Sequence, residues 1–217
     1  MQLQTAIARL RLPLAPLPGM GEEALDVGGV LKSFDRDQEI FGEGEEAEFV
    51  YKVVSGSVRC FRGLCDGRRQ ISDFYLPGDV FGLDLSIERR ETAEAMTEVQ
   101  VTVARRSALA ADPANATRLW RQTVYDLQRS QEHALTLGRR SASERVASFL
   151  VDLAERTSTG PDLELPMTRQ DIADYLGLTI ETVSRTLTQL QAQGLIKVCA
   201  GRRLQLTDLQ GLADLCE

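Results

Sequence analysis

The chain has 217 residues, 43% apolar and only 6% aromatic, which suffices for one large or two small domains whose cores rest on Leu, Val, Ile and Ala. Lys and Arg number 25 against 32 Asp and Glu, a formal charge of −7, and there are 17 Gly and 7 Pro. These values exclude wholesale disorder, a collagen-like or low-complexity chain, and a histone-like polycation that grips nucleic acid by charge alone.

No run of about 18 apolar residues is present, so no spanning helix is expected. Met1 to Gly19 lacks the long apolar stretch and small-residue site of a signal peptide, which points to the cytoplasm. Cys60, Cys65, Cys199 and Cys216 form no CxxC pair, and His133 is the single histidine, so neither a metal nor a cofactor is expected and free thiols are the plain reading. Charge is unevenly spread. Residues 1–165 carry 20 basic and 26 acidic side chains, whereas 166–205 carry five basic and three acidic ones, a local excess suited to a phosphate backbone.

The first thirty residues are rich in Leu, Pro and Gly, and short helical turns with loop are expected there. From Ser33 onward, short runs of β-formers recur: Glu39–Phe41, Phe49–Val54, Ser57–Phe61, Gln70–Tyr75, Val80–Phe81, Ala93–Thr97 and Val99–Ala104. Turns at Gly42 to Glu46, Ser55-Gly56, Asp66-Gly67 and Pro77-Gly78-Asp79 separate them. Seven strands at this spacing predict an antiparallel sandwich or barrel. Val99, Val101 and Val103 alternate with Gln100 and Thr102, the period of one buried face.

Near Asp112 the period changes. Ala114 to about Leu137 carries Leu119, Val124, Leu127, Ala134 and Leu137 among polar residues, a helix of roughly 35 Å. It is either a dimer stem or a linker helix lying on the β domain. Gly138-Arg139-Arg140-Ser141 breaks it, placing a domain border between Leu135 and Ala142. Ser143 is expected to cap a second helix with Val146, Phe149, Leu150, Leu153 and Ala154 on one stripe, ended by Thr159-Gly160-Pro161.

Thr168 with Asp171 is a capping pair opening a short helix, whose apolar face is Ile172, Ala173 and Leu176. Gly177 permits a sharp turn. Thr179 caps the next helix, which buries Val183, Leu187 and Leu190 and exposes Glu181, Ser184, Arg185 and Thr188. This is helix-turn-helix geometry, although an ordinary amphipathic helix pair has the same spacing. On the exposed face Arg185 can donate to guanine O6 and N7, Glu181 can accept from cytosine N4, and Ser184 can meet a base edge or phosphate. Thr168, Arg169, Thr179, Thr182 and Thr188 suit the DNA backbone. Leu195 to Cys199 and Leu204 to Leu206, joined through Ala200-Gly201-Arg202-Arg203, form a small hairpin. Beside the helix pair it reads as a wing, with Arg202 and Arg203 available to phosphate.

With these residues in view, the chain resembles the Crp/Fnr superfamily of dimeric bacterial transcription regulators over nearly its whole length. The stretch Thr168 to Ile196, the turn-rich Gly42–Tyr51 segment, Val54-Ser55-Gly56-Ser57-Val58 and Pro77-Gly78-Asp79-Val80-Phe81-Gly82 carry the resemblance. It implies an α+β chain: a jelly-roll-like β-roll of the cyclic-nucleotide-binding-domain fold at 1–112, with short N-terminal helical turns, then a long dimerisation helix at 113–138. A winged helix-turn-helix follows at 139–217. Glu181, Ser184 and Arg185 match the reader of the FNR/FixK group, where the cyclic-AMP receptor has Gly in place of Ser184. The resemblance thus implies a homodimer on double-stranded DNA at a palindrome near TTGAT-N4-ATCAA, acting on RNA polymerase, with no membrane and no catalysis; a cupin-type metal enzyme would need more than one His.

The effector pocket departs from the family's patterns. Its counterparts here are Gly82, Asp84, Glu91 and Thr92. Leu83 stands where a ribose-binding Glu would, and Glu91 would repel a cyclic phosphate, so no cyclic nucleotide is expected. The N-terminal cysteine group of iron–sulfur members is absent, since Cys60 is the first cysteine. Thr168 falls where some FixK relatives carry a redox-sensitive cysteine. Cys199 in the wing is the substitute redox candidate; a half-buried strand cysteine is its plainer reading.

Overall fold

The computed structural model describes residues 27–84, 86–111, 113–157, 162–200 and 202–216, without the side chains of residues 113 and 114. The helical turns expected before residue 27, the stop at Thr159-Gly160-Pro161 and the wing's Gly201 lie outside the described residues. The described chain forms two compact units, divided between Glu132 and His133.

The first unit is an eight-stranded β-roll: β1 (Val30–Phe34), β2 (Glu39–Phe41), β3 (Phe49–Ser55), β4 (Val58–Gly63), β5 (Arg69–Tyr75), β6 (Val80–Phe81), β7 (Thr92–Ala95) and β8 (Val99–Arg105). One sheet has the order β1-β8-β3-β6 and the other β2-β7-β4-β5, with antiparallel pairing throughout. Seven of the strands were expected. The eighth, β1, begins before Ser33, and its register sets Val30 opposite Val103 and Phe34 opposite Val99. Its Val30 and Leu31 are exposed, so it lacks the buried alternation that marks a strand in sequence.

Val99, Val101 and Val103 are buried as expected, in a core shared with Phe41, Tyr51, Val58, Phe81, Ala93 and Ala95 from both sheets. Full burial of such side chains stabilises by about 1.5–3 kcal/mol each. Gly56 adopts φ +81 in the β3–β4 turn, and a Cβ there would lie 2.2 Å from the Glu98 carbonyl oxygen. Only glycine brings the two backbones that close.

Two helices follow, α1 (Arg106–Ala111) and α2 (Pro113–Arg139). The latter runs from the first unit into the second. It passes through Gly138, so the expected break falls one residue beyond the helix, at Arg140. The second unit continues with α3 (Ala142–Thr157), β9 (Asp162–Glu164), α4 (Arg169–Leu176), α5 (Ile180–Ala192), β10 (Ile196–Val198), β11 (Arg203–Leu206) and α6 (Leu209–Asp214). The cap of α3 is Ser141, not Ser143. The Ser141 N–H donates to Glu144 Oε2 at 2.8 Å, and the Glu144 N–H reaches back to Ser141 Oγ at 3.4 Å. Val146, Phe149, Leu150 and Leu153 are buried along α3 as expected, whereas Ala154 is half-buried.

Candidate nucleic-acid interface

The helix pair α4–α5 is built by its caps. Thr168, extended at φ −79, accepts the Asp171 N–H at 3.1 Å, and Asp171 Oδ2 accepts the Thr168 N–H at 2.8 Å. The same oxygen accepts the Thr168 hydroxyl at 2.7 Å. This box seats Asp171 in the interior at 1% exposure and commits the Thr168 hydroxyl to it. Gly177, at φ 62 and ψ 40, ends α4 in the left-handed region and turns the chain. Thr179 then caps α5 by accepting the Thr182 N–H at 3.2 Å.

These constraints fix which way α5 faces. Val183, Leu187 and Leu190 are buried against the unit's core, with Thr186 beside them. Glu181, Arg185 and Thr188 are exposed and Ser184 is half-buried, all along the opposite side. The Arg169 guanidinium donates to Ser184 Oγ at 3.2 Å, tying the start of α4 to the middle of α5. Thr188 Oγ1 donates to the Ser184 carbonyl at 3.0 Å. The Glu181 carboxyl is held below the usual carboxylate range by hydrogen bonds from its own N–H and the Thr179 side chain, with help from Arg185. An ionised carboxylate is an acceptor only, the form that can receive an exocyclic amine.

The expected hairpin is a three-stranded sheet in the order β10-β11-β9. β9 has only three residues, too few for a periodic signal. Arg202 and Arg203 are exposed beside it. Arg202 Nη1 donates to the Pro166 carbonyl at 2.9 Å, and Arg203 Nε lies 3.9 Å from Glu164 Oε2. Cys199 lies just beyond β10 and is exposed, not half-buried.

Along α2, Leu127 and Ala134 are exposed, while Val124 and Leu137 are half-buried. Leu119 faces the roll, packing on the cluster of Val27, Val50, Val80, Ala104 and Leu109. Trp120 and Leu135, which were not singled out from sequence, are the more exposed apolar residues, at 63% and 64%. Trp120, Leu127 and Ala134 recur every seven residues, the spacing of a helix–helix seam. His133 stacks on Tyr175 with ring centroids 4.1 Å apart.

The four expected pocket residues are engaged within the roll. Asp84 pairs with Arg89 at 2.9 Å, and Gly82 offers its carbonyl to the same guanidinium at 2.8 Å. Glu91 accepts the Ser72 hydroxyl at 2.8 Å; burial pushes its carboxyl up, and Asp84 and Asp73 push the same way. Thr92 Oγ1 accepts the Glu43 N–H at 3.1 Å. Arg89 was not anticipated, because Glu88-Arg89-Arg90-Glu91 has the composition of a solvated run. Among the described residues no helix is long and apolar enough to cross a membrane.

Comparison with known proteins adds independent findings. A Crp-like helix-turn-helix domain profile matches residues 144–215, and a cyclic nucleotide-binding domain profile matches residues 31–111. The chain is 50% identical over 191 residues to the nitrogen fixation regulation protein FixK of Azorhizobium caulinodans, covering 84% of this chain and 77% of that one. It is 39% identical over 203 residues to the protein of the same description from Rhizobium meliloti, covering 94% and 92%. Among solved structures, FixK2 from Bradyrhizobium japonicum superposes with a TM-score of 0.83 at 45% identity, over 87% of this chain and 97% of that chain.

Proposed function

The chain belongs to the Crp/Fnr family of transcription regulators, among its FixK-type activators with a helix-turn-helix DNA-binding domain, and from that premise we propose that it acts as a homodimer at an FNR/FixK-type palindrome, TTGAT-N4-ATCAA, and activates by contacting RNA polymerase. The observation that carries this reading is the outward-facing triad of exposed Glu181 and Arg185 with half-buried Ser184 between them, on a helix held by the Thr168–Asp171 box and the Thr179 cap. Arg185 and Glu181 address the G·C pair of each half-site and Ser184 sits beside a thymine. Arg169, Thr179, Thr182, Thr188, Arg202 and Arg203 serve the phosphates, with Thr168 setting the frame. The row Trp120, Leu127 and Ala134 on α2 supports a two-fold dimer, whose reader helices would then fall one duplex turn apart. The domain division at 1–112, 113–138 and 139–217 is part of this proposal.

The protein works without cyclic nucleotide, since Asp84 and Glu91 stand where an anionic ligand would need cations. Fluorescence anisotropy of the reduced protein without ligand, against the palindrome and a scrambled duplex at about 150 mM salt, tests this. A specificity ratio above about 10³ is expected. Equal, weak binding to both duplexes would overturn it. A second reading, oxidative control through the wing, is favoured by the exposure of Cys199. Peroxide would then lower duplex affinity in the wild type and leave Cys199→Ser unchanged; equal responses would remove that reading.

A further inference from the structure

Arg89 sits in a charged run, yet its side chain is 1% exposed. Three acceptors from two segments converge on it. Nη1 donates to the Gly82 carbonyl at 2.8 Å and to Asp84 Oδ2 at 2.9 Å, and Nη2 donates to the Phe49 carbonyl. The guanidinium carbon lies 4.1 Å from the centroid of the Phe41 ring and 5.6 Å from that of Tyr51. A planar cation with fixed donors fits this arrangement of a carboxylate, two carbonyls and an aromatic face, whereas a compact ammonium does not.

The backbone makes room for it. Gly82 has φ +77, and a Cβ there would lie 2.9 Å from Arg89 Nη1 and 3.1 Å from Tyr51 Cδ2. Gly82 and Asp84 are also two of the four residues expected to line an effector pocket. The group they hold is part of the chain itself.

We infer that the β-roll contains a guanidinium-binding site, formed by Asp84, the carbonyls of Gly82 and Phe49 and the ring of Phe41, which the protein fills with its own Arg89 as a tethered ligand. The inference rests on the reading that the roll needs no diffusible effector, and it supplies a reason: Asp84 and the Gly82 and Phe49 carbonyls are already bonded by Arg89. Emptied of Arg89, the site takes a free alkylguanidinium and rejects a cyclic phosphate.

The test uses the full-length Arg89→Ala protein with methylguanidinium chloride at millimolar concentration, and N-methylurea as the neutral control of the same shape. The variant is expected to melt about 10 °C below the wild type, because a half-buried carboxylate and two carbonyls lose their shared partner. Methylguanidinium should raise its melting temperature, N-methylurea should not, and the wild type should gain from neither. A variant that melts like the wild type, or gains nothing from methylguanidinium, overturns the site. If Arg89→Ala does not fold, the wild-type protein decides through the ¹⁵N–¹H spectrum of its guanidinium groups. An Nη–H signal that exchanges slowly with water and vanishes in Arg89→Lys is expected, and its absence overturns the site. The tethered-ligand role is read by anisotropy: Arg89→Ala should lose affinity for the palindrome and regain it with methylguanidinium, and undiminished affinity would overturn that role. A wild type that ignores the palindrome defeats the proposed function instead and leaves the melting result standing.

Discussion

The Arg145 guanidinium donates through Nη1 to the carbonyl of Leu176, the last residue of α4, at 2.9 Å. Its Nη2 donates to the Leu137 carbonyl at 2.7 Å, and its Nε to the Arg140 carbonyl at 2.9 Å. Carbonyls at helix C-termini lack intrahelical partners and carry partial negative charge. One cation on α3 therefore closes the ends of both α2 and α4, beside the Gly177 turn that leads into α5.

Arg145→Met keeps the aliphatic stem and removes every donor. It should cost about 2–3 kcal/mol, read as a lower urea midpoint, with Arg145→Lys recovering part of the loss. A wild-type midpoint for Arg145→Met would mean that water replaces the guanidinium without penalty.

Arg185→Ala should lose about 1–3 kcal/mol of discrimination between the palindrome and a scrambled duplex, with little change on the scrambled one. Arg202→Ala should weaken both duplexes alike and reduce the slope of log K against log salt by about one. Anisotropy titrations at several salt concentrations separate the two. Identical profiles would contradict the division between base reading and phosphate binding.

Gly177→Ala isolates a backbone effect. A Cβ at this position would meet Leu137 Cδ2 at 3.6 Å and Arg145 Nη1 at 3.7 Å, ordinary contacts that cost nothing sterically. The penalty comes from φ 62 alone, and about 1–2 kcal/mol is expected for alanine. Gly177→Asn should cost less, because Asn tolerates the left-handed region. Equal losses for the two variants in thermal unfolding would point to crowding instead.

Asp126 on α2 carries a carboxyl raised to about 6, chiefly by burial, with Asp73 adding repulsion and Gln122 opposing through a 2.9 Å hydrogen bond. The folded state thus holds this proton more tightly than the unfolded chain, and stability falls as pH rises from about 4 to about 6. Asp126→Asn removes the ionisation and keeps an acceptor for Gln122. Its melting temperature should exceed the wild type's at neutral pH, and the difference should shrink below pH 6 and disappear near pH 4. A difference independent of pH would assign the effect to packing.

The caps and the turn of the reader domain were legible in the sequence because each is a local device: Thr168 with Asp171, Gly177 and Thr179 act within four residues of themselves. The roll's strands were legible where one face is buried, as at Val99 to Val103. β1 was not, since its Val30 and Leu31 face outward and its pairing with β8 is entirely non-local. The same reason hides Arg89. Nothing adjacent in sequence distinguishes it from Arg90; Phe41, Phe49 and Tyr51 do, from a distant part of the chain. Leu119 looked like Leu127 because both are leucines on one amphipathic helix, and only the cluster around Val27 and Leu109 tells them apart.

The pairing of Val30 with Val103 also orders events at the ribosome. The roll's first described strand has no partner until its last strand has been made, so β1 leaves the exit tunnel as an unpaired edge and waits through synthesis of the intervening hairpins. Closing so long a loop is entropically late. The α4–α5 pair needs no such delay, since its partners follow within a few residues. During synthesis the roll is thus the vulnerable half of the molecule, and a chaperone or protease that samples nascent chains would find β1 unpaired.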